Sequence, residues 1–103
     1  MIEWLQNWYK SQCDGDWEHY YGIKIETLDN PGWDVSIDIN NYNIADVSWS
    51  IYGDFDSKWI GFKIQDSKFN GSCDPTSFNI LLEILKEIIE HQTNDPIEFK
   101  KYF

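Results

Sequence analysis

Residues 13–19, CDGDWEH, set a thiol, three carboxylates and an imidazole close together. Side chains of these types hold metal ions or exchange protons, so Asp14, Asp16, Glu18 and His19 form the first candidate site. Hard cations take several carboxylate oxygens, but a twelve-residue calcium loop needs later ligands and a terminal glutamate that this stretch lacks. Zinc asks for nitrogen or sulfur donors at fixed spacing, and one histidine among carboxylates does not supply them. A solvated loop built on Asp14-Gly15-Asp16 is the plainer reading. Paired carboxylates also run glycoside hydrolysis, yet eighteen acids in 103 residues make chance pairs inevitable. A relay of Cys13 or Cys73 with His19 or His91 lacks a glycine elbow, and acidic surroundings raise a thiol's pKa. The residues therefore predict a protein that is not an enzyme and carries no cofactor and no metal. The alternative is a small metal-dependent enzyme using Asp14, Asp16, Glu18 and His19.

Charge and ring content point elsewhere. Eight lysines stand against eighteen carboxylates, giving −10, and arginine is absent. Phosphate recognition depends on those cations, so nucleic acid is not the expected partner. An anionic surface suits a basic protein and speeds its approach. Six Trp, six Tyr and six Phe exceed what one small core needs, and surplus Trp and Tyr are the preferred anchors of protein interfaces. No run is long enough to cross a bilayer, and Met1 leads into a polar-aromatic segment without a secretory pattern. The expectation is a cytoplasmic protein with reduced cysteines and no membrane contact.

The elements that position these groups follow from periodicity. Residues 2–12 place Ile2, Leu5, Trp8 and Tyr9 near one helical face, with Trp4 off the stripe. From Ile23, alternation with period two takes over: Ile23, Ile25 and Thr27, then Trp33, Val35, Ile37 and Ile39. Asn30-Pro31-Gly32-Trp33 between them reads as a type II turn with proline second and glycine third. Ala45, Val47, Trp49 and Ile51 make a third strand, and Ile60, Phe62 and Ile64 a fourth. Asp74 is read as an N-cap and Pro75 as the first position of a helix about seventeen residues long, whose stripe is Phe78, Leu81, Leu82, Leu85, Ile88 and Ile89. The predicted fold is one α+β domain over residues 1–103: an N-terminal helix, a four-stranded antiparallel meander and a long C-terminal helix on one sheet face. The tail is expected to dock through Phe99, Tyr102 and Phe103.

This alternation defines a second surface. If helices cover Val35, Ile37, Val47 and Ile51, the reverse face shows Glu26, Asp34, Asp38, Asp46 and Tyr52, with Trp59 at one side. Asp34, Asp38, Asp46, Tyr52 and Trp59 are the first partner-binding group. Asp14, Asp16, Trp17 and Glu18 are the second, since Trp17 fits either a wedge between helix and sheet or an exposed anchor. Trp33, in phase with Val35, belongs to the core.

The order W…CDGDWEHYYGI…TLDNPGW, carried by Trp8, Asp16, Trp17, Glu18, Gly22, Asn30, Pro31, Gly32 and Trp33, resembles the immunity protein 53 family of bacterial polymorphic toxin systems. The resemblance covers the first forty residues; the rest agrees in length and in its α+β order. It implies a small cytosolic protein that binds and neutralises a cognate toxin in the producing cell, and it carries over no catalytic residue. Gly22 and the Pro31-Gly32 turn read as backbone requirements. If the toxin is a nuclease, its basic groove is a fit for carboxylates. A monomer or weak homodimer is expected, with a homodimeric adaptor as the other rival.

Overall fold

A computed structural model describes residues 1–54 and 56–97. The elements are α1 (Ile2–Gln12), α2 (Trp17–Tyr20), β1 (Ile23–Leu28), β2 (Gly32–Asp38), β3 (Val47–Gly53), β4 (Trp59–Gln65), β5 (Lys68–Cys73) and α3 (Phe78–His91). The expected docking of Phe99, Tyr102 and Phe103 lies outside the described residues.

The sheet is antiparallel throughout, but it has five strands in the order β1-β2-β5-β4-β3 and is not a four-stranded meander. Residues 68–73 form the additional strand, which pairs with β2 on one side and β4 on the other. Residues 39–46 therefore carry the chain across the end of the sheet, so that β3 becomes an edge strand. The turn into β5 uses Asp66 and Ser67, both left-handed at φ 53 and 60, as a two-residue hairpin demands.

One face of the sheet is closed by α3, which lies along β5. Val35, Ile37, Ile60, Phe62, Ile64 and Phe69 meet Leu81, Leu82, Leu85 and Ile88 in one buried cluster. Gly71 admits the helix at its closest point: a Cβ there would stand 2.7 Å from Leu81 Cδ1. The helix begins at Phe78, later than the sequence suggests. Asp74 instead organises a turn, accepting from the Trp59 and Thr76 amides and from the Thr76 and Ser77 hydroxyls. Trp33 ties this junction to β2, stacking on Phe78 at 4.9 Å and donating its indole N–H to the Pro75 carbonyl.

The helix α1 buries Leu5, Trp8 and Gln12 and leaves Ile2 and Tyr9 exposed, a stripe rotated from the predicted one. Polar bonds set that rotation. Trp8 and Gln12 both donate to the Tyr42 hydroxyl, at 2.8 and 3.0 Å, and Asn41 donates to Gln12.

The NPGW segment also differs from expectation. Its loop is residues 29–31, the Asn30–Pro31 peptide is cis, and Gly32 already pairs with Leu28. Gly32 is not left-handed. Its requirement is space, because a Cβ would be driven into the Cys73 carbonyl oxygen and against Trp59. At Gly22 a Cβ would meet nothing within 4 Å and φ is ordinary, so no backbone requirement stands there.

Candidate functional site

The 13–19 stretch is a loop that serves its own backbone. The Asp14 carboxylate accepts from the amides of Asp16 and Trp17, both at 2.9 Å. Glu18 reaches back to accept from the amides of Asp14 and Gly15. This reciprocal arrangement satisfies the amides of the loop that leads into α2 and the first amide of that helix, while Gly15 at φ +96 makes the reversal possible. The Trp17 and Asp16 amides hold the Asp14 carboxyl below its usual range. Glu18 is lowered as well, first by its own amide, with those of Gly15 and Asp14 adding to the effect. Among the described residues no three His, Cys, Asp or Glu side chains converge as metal ligands would.

The loop inserts Trp17, which is 3% exposed. Its indole N–H donates to Asn40 Oδ1 at 3.1 Å, and its ring meets Trp8 edge-on at 5.9 Å and Tyr9 at 6.1 Å. Trp17 is therefore the wedge and presents no anchor at the surface. Asp14, Asp16 and His19 stay exposed around it. The other nucleophile candidate is shut in. Burial pushes the Cys73 thiol up to about 12, with the Asp74 charge adding to it, so no thiolate forms there near neutral pH.

The second candidate surface is the sheet face opposite α3, and a β-bulge decides its content. The register of β3 on β4 shifts between Val47 and Ser50, so Ser48 and Trp49 together oppose Lys63. One extra residue reverses the side-chain faces beyond it. Val47 points to the core as predicted, but Ser50 and Tyr52 then share that side, and Tyr52 packs against the core. Trp49 and Ile51 emerge on the open face, 49% and 52% exposed. Ile51 lies over Gly61, whose missing side chain gives it room: a Cβ there would be 3.1 Å from Ile51 Cγ1. Lys63 sets its ammonium 5.6 Å from the Trp49 ring centroid, a cation–π distance.

Trp59 is on this face, as its alternation with Ile60 requires, yet it is only 7% exposed because it lies across Gly32. Asp34 and Asp38 also point this way and are half-buried. Asp34 accepts from the Ser72 hydroxyl at 2.8 Å, and Asp38 accepts from the Gly22 amide and stands 3.8 Å from Lys68. Glu26 is bridged to Lys24 at 2.9 Å. The face is thus chequered, with Lys24, Lys63 and Lys68 set among Glu26, Asp34 and Asp38, and it is not the acidic sheet that the strand alternation suggested. Asp46 falls in the loop just before β3, exposed, on a shallow groove of about 330 Å³ with Trp49, Lys63 and Gln65.

The structure thus brings Asp34, Asp38 and Asp46 to the open side, turns Tyr52 to the covered side, and buries Trp59. Trp49 and Ile51 take their place. The alternation Val47, Trp49, Ile51 is regular in sequence, so nothing in it marks the bulge.

Among the described residues, no helix is long and apolar enough to cross a membrane. No curated protein and no solved structure matches the chain. A family model described as Immunity protein 53 matches residues 2–90, from the start of α1 to the last turn of α3. A loop whose carboxylates are bonded to its own backbone and a sheet face that carries Trp49 and Ile51 half exposed agree with the binding role that this match implies. This chain belongs to the immunity protein 53 family, and membership implies neutralisation of a cognate toxin.

Proposed function

We propose that this protein inhibits its toxin by stoichiometric binding in the cytoplasm of the producing cell, through the open sheet face, without chemistry of its own. The observation that carries this reading is the half-exposed pair Trp49 and Ile51 on a face that no described helix covers. Interface energy concentrates in a few apolar and aromatic anchors ringed by polar groups, and the rim here is Asp34, Asp38 and Asp46. The carboxylates of the 13–19 loop, exposed Asp14 and Asp16 with half-buried Glu18, form a second contact group. Trp17, Tyr52 and Trp59 support these surfaces from beneath and are not anchors. A tight complex needs roughly 1,200–2,000 Å² of total buried area, so the flanking loops are expected to join the open face in the contact.

A basic toxin domain, such as a nuclease with a cationic substrate groove, matches the −10 charge. The test is co-purification with the toxin domain encoded beside this protein, followed by binding kinetics. Trp49→Ala is expected to weaken binding by roughly 30-fold or more, the mark of a hot spot. Tyr20→Ala, at a strongly exposed position outside the sheet, is expected to leave it unchanged. Raising salt from about 50 to 500 mM is expected to slow association severalfold. An unchanged Trp49→Ala complex overturns the proposed face, and a flat salt response overturns the basic partner.

A further inference from the structure

The strand β1 is an open edge that is complementary to itself. Its residues Lys24, Ile25, Glu26 and Thr27 are all exposed. The Asp38 amide donates to the Gly22 carbonyl, and in the antiparallel ladder Gly22 stands opposite Asp38, so this is a hydrogen-bonded position. Such positions alternate: Lys24, Glu26 and Leu28 turn their backbone groups toward β2, while Ile23, Ile25 and Thr27 turn theirs outward. Outward amides and carbonyls on an edge strand are a template for another strand. The other edge does not offer a comparable row, because the bulge in β3 interrupts it.

We infer that two copies of this chain associate through β1, antiparallel, about a two-fold axis at Ile25, to make one continuous ten-stranded sheet. In that register Ile25 faces Ile25 of the second copy, and Ile23 faces Thr27. All three are residues whose backbone groups point outward, so about six hydrogen bonds close the seam. Lys24 then lies opposite Glu26 of the second copy, and Glu26 opposite its Lys24. These are non-hydrogen-bonded pairs, where side chains approach most closely. On the other face Ile25, 40% exposed in one copy, is covered by its counterpart. A sequence that alternates Lys and Glu around a central Ile is complementary to itself only in this antiparallel register. The seam is small, so the dimer is a weak one, and it lies at the sheet edge opposite β3, leaving Trp49 and Ile51 uncovered.

Analytical ultracentrifugation over a concentration series up to about millimolar reads the mass. The parent is expected to rise from 12.3 kDa toward twice that value. Lys24→Glu and Glu26→Lys each set like charges across the seam, and each alone is expected to remain monomeric. Mixed in equal amounts they restore opposite charges at both pairs, and the heterodimer is expected to form. A second measurement needs no substitution: hydrogen exchange at the Ile23, Ile25 and Thr27 amides slows as concentration rises, while exchange at Lys24 and Glu26, already bonded to β2, does not change. A parent that stays monomeric throughout, single variants that associate as the parent does, a mixture that fails to associate, or concentration-independent exchange at Ile25 would each overturn the inference.

Discussion

On the face that α3 covers, Val35, Ile37, Phe62 and Phe69 are sealed against Leu81 and Leu85. On the opposite face of the same sheet, Trp49 and Ile51 lie half exposed, the one beside Lys63 and the other over Gly61. The first arrangement stabilises the fold by removing apolar surface from water. The second leaves such surface in place, where only a partner can remove it. The contrast shows that apolar side chains in one sheet divide between two tasks, and substitution separates them.

The largest effect is expected on the covered face. Leu85→Ala, at a fully buried position of α3, should cost about 3 kcal/mol in urea unfolding, and an equal cost for Ile51→Ala would break the contrast. Next comes the one corner where the open face is itself closed. Gly32→Ala forces a methyl into the Cys73 carbonyl and toward Trp59, and a loss of between about 2 and 3 kcal/mol is expected, because backbone must move.

The same corner sets a pH dependence. Burial raises the Asp74 carboxyl, but bonds from Ser77, Thr76 and Trp59 outweigh it and leave the pKa lowered to about 2 from an ordinary 3.8. A carboxylate held below its unfolded value stabilises the fold fully above that value and loses the contribution as pH falls through the folded one. Unfolding free energy should drop by about 2 kcal/mol from this group between pH 5 and pH 1.5. Asp74→Asn should remove that component, and an unchanged pH profile in this variant would count against it. Ser67→Gly touches neither face and relieves a left-handed residue at φ 60, so a gain of about 1 kcal/mol is expected in thermal unfolding. Trp49→Ala should change stability least, within about 0.5 kcal/mol, while it cuts toxin affinity. A variant that unfolds more readily would return Trp49 to the core.

Much of this was legible in the residues. Alternation located β1, β2 and β4 and assigned Val35, Ile37 and Val47 to the covered side, and the α3 stripe of Leu81, Leu82, Leu85 and Ile88 is buried as spaced. The strand β5 was not legible, because Asn70, Gly71 and Ser72 have weak strand preference and Asp66-Ser67 is a weaker hairpin signal than Asn-Gly. Their fitness for the centre of the sheet comes from the third dimension, since Gly71 gives way to Leu81 and Ser72 bonds to Asp34. The open face was misread for a related reason. A bulge is a property of two strands together, and Val47, Ser48 and Trp49 do not reveal that Lys63 opposes two of them. Asp14 and Glu18 look catalytic in one dimension because a carboxylate that caps its own loop has the same composition as one that binds a metal.

The strand order carries a consequence for how the chain acquires its shape. The pairs β1–β2 and β3–β4 are local hairpins that share no bond with each other, and β5 bonds to both. A polypeptide cut short before Lys68 is left with two separate ribbons, each lacking the inner neighbour that completes it, and with no seat for α3. Both the covered core and the continuous open face therefore require the residues from Lys68 onward, which join the two ribbons and seat the helix.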